Sequence, residues 1–202
     1  MTKVISISRE FASGGREIGK KLAERLSFAY YDKEVINEIA KDTNLSKEYL
    51  DHYSESNLTR NFPITIGHSF GLVYPMITPS DEVYKQQIDV MKKLAGEGDC
   101  VFIGRCSDYI LRNMNILRVF IYSTKMEEKI DRCKAKANVD ELISDTELKK
   151  RILKVDRDRK EYYEYYTSLT WGDVKNYDLC INTARFSVDE AVEIIAKAIT
   201  KI

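Results

Sequence analysis

The sequence predicts an α/β protein in which a parallel β-sheet carries helices on both faces. Three observations support this class. The chain opens with a β-branched alternating segment, KVISIS at residues 3–8. Continuous apolar runs of strand length recur further along, as at 99–103, and segments with helical spacing of apolar residues separate them. Strands that alternate with helices pair in parallel, because each helix carries the chain back across the sheet.

The first elements follow from local patterns. Residues 3–8 predict a strand, and a Ser/Gly-rich loop leads from it into a helix over about 18–26. A short aromatic segment at 28–31 precedes Asp32, which occupies an N-cap position and predicts a second helix. Ser46 caps a further helix in the same way.

The middle of the chain changes character. Residues 54–80 are polar and aromatic, contain all three prolines and show no regular period, so they predict an irregular lobe. Ser80 caps a helix that ends near the glycine at 96. The run at 99–103 then predicts a strand buried on both faces, and 107–112 is helix-like.

A second strand and helix pair follows. Residues 116–122 predict a strand and 126–137 a helix. Ser144 and Glu147 form a capping-box pattern, which opens a long helix over roughly 145–165.

The C-terminal part of the chain also predicts a strand followed by a helix. Residues 179–182 predict a last short strand, and a second capping box, Ser187 with Glu190, opens a final helix over about 188–199. At 202 residues, with no internal repeat visible, the chain is expected to form one domain.

Composition excludes several function classes. Lys+Arg and Asp+Glu both number 32, so the chain is neutral, with a pI near 6.8, and no global field would draw it to nucleic acid or a membrane surface. Its N-terminal apolar segment is too short for a signal peptide, and residues 61–80 are too polar to span a bilayer. A cytoplasmic location is expected.

The four cysteines show no metal-ligand spacing and are expected to be buried thiols without zinc or disulfides. Neither histidine lies in a metal or nucleophile context. Because the chain is neutral overall, any phosphate that it binds must be held by a local site.

The loop after the first strand, residues 8–17, is the candidate for that site. Gly14 and Gly15 can adopt positive φ and bring N–H groups together at a helix N-terminus, and Arg16 or Lys20 can add charge. A Walker A loop, G-x-x-x-x-G-K-[ST], would have lysine at Arg16 and a hydroxyl at Glu17. The alternative is a glycine turn needed only for tight packing of the helix on the strand.

Four blocks of sequence resemble the cytidylate kinase-like family, a divergent branch of the P-loop nucleoside monophosphate kinases. The first is ISISREFASGGREIGKKLAERLSFAYYDKEVI at 5–36, with SGGRE in place of the usual GSGK. The others are VFIGR at 101–105, the arginine-rich RILKVDRDR at 151–159, and CINT at 180–183 with SVDE at 187–190. They span nearly the whole chain in the family's order.

The resemblance implies a P-loop kinase-type three-layer sandwich and a function. The core would comprise residues 1–53, 81–137 and 169–202, with an irregular acceptor-side lobe at about 54–80 and a helical lid at about 138–168. The implied activity is phosphoryl transfer from ATP to a nucleoside monophosphate, CMP- or dCMP-like, or to a related small phosphate acceptor. ATP and Mg²⁺ are the implied cofactors, and Mg²⁺ would bridge the donor phosphates.

The resemblance also implies roles for individual residues. The donor phosphates would be bound by Ser13, Gly14, Gly15, Arg16 and Glu17. Asp32 and Arg105 would bind the acceptor. Arg16, Arg157 and Arg159 would be catalytic, because arginine forks supply positive charge to the transferring phosphoryl group. No residue is assigned as a protein ligand of a metal.

Departures from the family pattern support an alternative function. Glu38 stands where authentic cytidylate kinases have an arginine, and Cys106 where they have an acid, so CMP itself is doubtful as the acceptor. With the arginine and glutamate in the loop, these changes favour a catalytically weak nucleotide- or anion-binding protein that retains the kinase fold. A third reading is a purely structural interaction module.

Several of these residues also have ordinary structural explanations. Asp32 can be only an N-cap, and Arg157 with Arg159 can belong to a solvated helix face. Arg105 follows a buried strand, where an unpaired arginine is costly, so a partner is expected. Asp108 is expected to be a surface residue. The aromatic residues at 162–171 favour a core seam or a homodimer surface over base stacking.

Overall fold

A parallel sheet forms the centre of the molecule. The structure, a computed structural model, describes residues 2–32, 81–136 and 143–202. Its five strands are all parallel and lie in the order β2-β3-β1-β4-β5. They are β1 (Val4–Arg9), β2 (Ala29–Tyr31), β3 (Cys100–Ile103), β4 (Ile116–Tyr122) and β5 (Leu179–Asn182). The predicted α/β class is confirmed.

Helices alternate with these strands along the chain. They are α1 (Gly15–Leu26), α2 (Asp81–Glu97), α3 (Ser107–Ile110), α4 (Met126–Lys134), α5 (Asp145–Thr167) and α6 (Val188–Ile199), with a 3₁₀ turn at Val174–Asn176. Both predicted capping boxes are present, at the starts of α5 and α6. The helices predicted after Asp32 and Ser46, and the lobe at 54–80, lie outside the described residues.

Helices cover both faces of the sheet, which gives three layers. On one face α1 and α6 pack against β1, β3 and β4 through residues such as Ile18, Leu22 and Ile195. On the other face α2, α3 and α5 pack through residues such as Met91 and Tyr163. A smaller apolar cluster joins α4 and α5 to the loop after β1. The continuous apolar runs of the sequence are therefore strands buried on both faces.

The strand order determines where a ligand can bind. Because β1 pairs with β3 on one side and β4 on the other, the loops that follow these three strands lie side by side at one edge of the sheet. In open α/β sheets ligands bind at this carboxyl edge.

The four cysteines are free thiols, and three of them are buried. None of the described helices combines the length and the apolar character that crossing a bilayer requires.

Candidate functional site

The loop between β1 and α1 uses its two glycines differently. Gly14 has a φ of +86°, the left-handed conformation expected of a glycine at such a turn. Gly15 instead begins α1, where a Cβ atom would lie only 2.6 Å from the Cβ of Arg9. A left-handed turn therefore requires the first glycine, and close packing of helix on strand requires the second.

The start of α1 is suited to bind an anion. Its N-cap is Gly14, which has no side chain to cap the first-turn N–H groups, and the N–H of Ile18 makes the first helical bond, 2.9 Å to the Gly14 carbonyl. The N–H groups before Ile18 carry the positive end of the helix dipole. This helix start follows β1 directly at the carboxyl edge of the sheet.

Neighbouring elements hold the loop in place. The buried Ser13 hydroxyl donates to the Glu10 carbonyl at 2.8 Å, so this side chain is used within the loop itself. The Thr183 hydroxyl, after β5, donates to the Ser13 carbonyl at 2.8 Å. Arg132 of α4 donates to the Ala12 carbonyl, also at 2.8 Å.

A buried charge network joins the loop to α4 and α5. Lys129 Nζ lies 2.8 Å from Glu10 Oε2 and 3.3 Å from Asp156 Oδ2, with only 6% of the lysine side chain exposed. Asp156 Oδ1 accepts a hydrogen bond of 2.6 Å from the Phe11 N–H. Glu10 also accepts one from the Ser123 N–H at 3.0 Å. The sequence analysis missed this network, although Glu10 directly follows a buried strand, where a charge needs a partner.

Two predicted site residues are in direct contact. Arg16 Nε lies 2.8 Å from Asp32 Oδ2, with 30% and 15% of the two side chains exposed. Arg16 was assigned to the donor and Asp32 to the acceptor, so this ion pair joins the two halves of the predicted site.

Arg159 lies against the strand that precedes the loop. Its Nη1 donates to the Arg9 carbonyl at 3.1 Å, and its guanidinium lies 5.6 Å from the centre of the Phe11 ring. Burial, together with the charge of Arg9, lowers the pKa of Arg159 to about 9.

Arg9 is a further residue of the candidate site, and the sequence patterns did not single it out. Burial lowers its pKa, the charge of Asp32 opposes this, and the charges of Arg105 and Arg16 add to it. The side chain of Arg9 therefore lies among the predicted donor and acceptor residues. The available signal was a charged residue at the last position of a strand whose other residues are apolar or small.

Arg105 is exposed, so the cost of an unpaired buried arginine, from which a partner was expected, does not apply to it. The strand ends at Ile103, and a left-handed turn follows, with φ of +61° at Arg105, which leaves this side chain exposed. Burial raises the pKa of Tyr162, and the nearby charge of Arg105 opposes this rise. Burial lowers the pKa of Arg9, and the charge of Arg105 adds to this fall.

Two further predicted residues have other surroundings. Glu17 Oε2 accepts a hydrogen bond from Lys136 Nζ at 3.0 Å. Arg157 is exposed on α5. The structure thus brings Arg16, Asp32, Arg105 and Arg159 together around Arg9.

Asp108 is buried, contrary to expectation. It is only 3% exposed, and Tyr163 donates a hydrogen bond of 2.6 Å to its Oδ2. Burial raises the pKa of Asp108, and the Tyr163 hydrogen bond opposes this shift. The bond ties α5 to α3, the helix that follows Arg105. Tyr162 and Tyr163 are buried in the core and Tyr166 and Trp171 pack against it, as a core seam requires, whereas Tyr165 is 63% exposed.

The described residues offer few protein ligands to a Mg²⁺ ion. Within the described residues no three acidic, histidine or cysteine side chains are grouped so as to hold a metal. Mg²⁺ in phosphoryl-transfer sites needs only one or two carboxylates, because substrate phosphates and water supply its other ligands. Glu17, at the position of the Walker A hydroxyl, would be one such carboxylate if a nucleotide displaced Lys136 from it.

Comparison with known proteins identifies relatives. The profile of the cytidylate kinase-like family matches residues 4–185. The cytidylate kinase of Methanocaldococcus jannaschii is 23% identical over 98% of both chains.

Solved structures share the fold. An uncharacterized protein from Eubacterium ventriosum has a TM-score of 0.73, with 28% identity over 99% of both chains. The shikimate kinase of Bacteroides thetaiotaomicron has a TM-score of 0.55, with 12% identity over 99% of both chains. The three-layer sandwich is therefore that of the P-loop kinases.

Proposed function

Since this chain belongs to the cytidylate kinase-like family, we propose that it transfers a phosphoryl group from ATP to a nucleoside monophosphate, CMP- or dCMP-like, or to a related small phosphate acceptor. The observation that carries the proposal is the arrangement of Arg16, Arg105 and Arg159 around Arg9, beside an uncapped helix start. Family and fold together support a nucleotide kinase-like enzyme.

The donor would be bound at the start of α1. The N–H groups from Gly14 to Glu17 would surround the β- and γ-phosphates, and Arg16 would add charge in place of the Walker A lysine. Bound with ATP, Mg²⁺ would neutralise charge that develops on the phosphates. The carboxyl edge of the sheet is where this fold places a phosphate.

The acceptor would bind beside the ion pair of Arg16 and Asp32, on the side of Asp32. Arg105 would bind the acceptor phosphate, and Asp32, held by Arg16, would contact the rest of the acceptor. An acceptor phosphate is already ionised at neutral pH, so no general base has to remove a proton before transfer. The residues would act mainly by orientation and by charge.

Helix α5 would act as the lid. Arg159 already lies against the donor loop, through its bond to the Arg9 carbonyl. Arg157 is exposed and would reach the phosphates only when nucleotide binds. Closure would exclude water and so suppress hydrolysis of ATP.

One observation favours the alternative, a weak nucleotide- or anion-binding protein. Acidic side chains already engage groups that a nucleotide would use: Asp156 the Phe11 N–H, and Asp32 the Arg16 guanidinium. If these contacts persist, they compete with the donor phosphates, and binding without turnover results.

The test is release of ADP from ATP·Mg²⁺ with a panel of ribo- and deoxyribonucleoside monophosphates. Wild type is compared with Arg105→Ala and with Arg25→Ala, an exposed arginine of α1 that pairs with Glu193. Acceptor-dependent release that only Arg105→Ala abolishes supports the kinase.

A thermal shift separates the remaining outcomes. At a hundred times its dissociation constant a ligand adds about 2.7 kcal/mol of apparent stability. Stabilisation by ATP without turnover selects the weak binder. If ATP neither stabilises the protein nor is turned over, the structural interaction module is selected.

A further inference from the structure

Arg9 lies between the loop after β1, which would bind the donor, and the turn after β3, which carries Arg105. It is the last residue of β1, and its stem packs on Gly15, where an added Cβ would lie 2.6 Å from Arg9 Cβ and 3.1 Å from its Cγ. Its guanidinium lies over Gly104, where an added Cβ would overlap Nη1. One side chain therefore touches the start of α1 at one end and the residue before Arg105 at the other.

Three arginines and one carboxylate act on Arg9, and one of these arginines, Arg159, also lies 3.8 Å from Asp156 Oδ1. Arg16, Arg105 and Arg159 are its cationic neighbours, and Asp32 is the carboxylate that acts on it most. Asp32 is shared, because its Oδ2 lies 2.8 Å from Arg16 Nε. Grouped guanidinium groups repel one another in a half-buried site, and an anion with several oxygens relieves that repulsion. Burial is the main cause of the lowered pKa values of Arg9 and Arg159, and the charges of neighbouring arginines add to it.

We propose that Arg9 contacts the phosphoryl group in transfer, midway between the donor loop and Arg105. The proposal rests on the proposed function, and it assigns a residue outside the loop motif, one position before Glu10. Arg16, in the lysine position of that motif, is bonded to Asp32. Arg9 thus supplies charge at the reacting group in addition to Arg16, which also orients the carboxylate beside it.

The chemical step leaves Arg9 unchanged. An oxygen of the acceptor phosphate forms a bond to the γ-phosphorus, and the bond from that phosphorus to the β,γ-bridging oxygen breaks. ADP leaves with the electron pair of the broken bond. Arg9 remains protonated and donates hydrogen bonds to the equatorial oxygens, where negative charge is spread in the transition state.

The test compares Arg9→Met, Arg9→Lys and the control Arg25→Met. Methionine retains an apolar stem to pack on Gly15 but removes the charge. For each variant we would measure turnover at saturating substrates, the affinities for ATP and for ADP by calorimetry, and the thermal midpoint. Arg9→Met is expected to lower turnover by about a hundredfold or more, as loss of an arginine at a transferring phosphoryl group does.

The nucleotide affinities and the thermal midpoint distinguish a contact of Arg9 with the γ-phosphate from a purely structural role of Arg9. Arg9→Met should also lower the ratio of ATP affinity to ADP affinity, because only ATP carries the γ-phosphate, with the thermal midpoint near that of wild type. Arg9→Lys should recover part of both losses, and Arg25→Met should change neither. Unchanged turnover and an unchanged affinity ratio in Arg9→Met would overturn the proposal, as would losses that follow a lowered midpoint.

Failure of the proposed function gives a different pattern. If wild type binds ATP but no acceptor elicits turnover, the kinase is refuted, and the affinity ratio still decides whether Arg9 contacts the γ-phosphate. If wild type binds neither nucleotide, both proposals are refuted.

Discussion

The carboxylate of Asp156, in the middle of α5, accepts a hydrogen bond of 2.6 Å from the backbone N–H of Phe11, in the loop after β1. The other oxygen of the same carboxylate faces Lys129, which also pairs with Glu10. The helix that would form the lid is thus bonded to the backbone of the loop that would bind the donor. A movement of α5 must therefore strain or break this bond to the loop.

Removal of Asp156 should destabilise the protein. Asp156→Ala leaves the Phe11 N–H without its acceptor and Lys129 with only Glu10, so we expect a loss of about 2–4 kcal/mol, typical of a broken buried pair. Urea denaturation measures this loss. Asp158→Ala, two residues along, breaks the pair with Lys154, whose side chain is 42% exposed, and should cost less than about 1 kcal/mol. Equal losses in the two variants would show that the network does not anchor the loop.

The two lid arginines should differ in their effects. Both Arg157→Ala and Arg159→Ala are expected to lower turnover more than ATP affinity, because lid contacts form mainly near the transition state. Only Arg159→Ala should also lower stability, by roughly 1 kcal/mol, because Arg159 bonds the Arg9 carbonyl whereas Arg157 is exposed. Turnover assays and urea denaturation test the two statements separately. Unchanged turnover in both variants would refute the lid assignment.

Two glycines should respond to alanine in opposite directions. Gly104 has a φ of +70°, and a Cβ there would overlap the Arg9 guanidinium. Gly104→Ala should therefore cost about 1–2 kcal/mol and lower turnover as well. Gly96 lies near the end of α2, with no atom within 4 Å of an added Cβ. Gly96→Ala should stabilise by about 0.5–1 kcal/mol. Stability curves of both variants check this, and a stabilised Gly104→Ala would contradict it.

Asp108 should make stability depend on pH. Burial raises its pKa in the folded protein above the ordinary value of 3.8. Since the unfolded chain then releases this proton at a lower pH, the free energy of unfolding falls as pH rises from about 4 through the raised pKa. Asp108→Asn cannot titrate, so the difference in stability between wild type and this variant should shift against wild type from pH 4 to pH 7.

Tyr163→Phe tests the pKa of Asp108 by removing the hydroxyl that donates a hydrogen bond to it. Loss of the Tyr163 hydroxyl removes a hydrogen bond that favours the ionised form, so the pKa of Asp108 should rise further and the decline of stability with pH should steepen. Urea denaturation at pH 4, 5.5 and 7 measures both effects. A constant difference between wild type and Asp108→Asn would show that Asp108 has the same pKa in both states.

The elements of the fold could be predicted because their signals are local. The strand at 116–122 and the last helix, opened by the Ser187 box, were predicted with the bounds that the structure has. Such runs and caps depend on residues a few positions apart. The third helix, predicted to residue 112, ends at Ile110 because the chain turns there, and the Met114 N–H bonds the Leu111 carbonyl.

The candidate site could be predicted only in part. The left-handed turn at Gly14 followed from the loop sequence, and the family pattern pointed to Arg16, Asp32 and Arg159, which lie close together. Nothing local distinguished Arg105, which is exposed, from a buried arginine. Nor did anything local show that Asp108 is buried.

The sequence by itself determined the α/β class, the order of the elements and the family, because period, caps and motifs are written in neighbouring residues. Only the tertiary structure decided which side chains meet. Asp156 and Phe11 are 145 positions apart, and Arg9 meets Gly104 because β1 and β3 are paired in the sheet. Such contacts depend on how strands and helices are arranged in space, which the spacing of residues along a chain does not record.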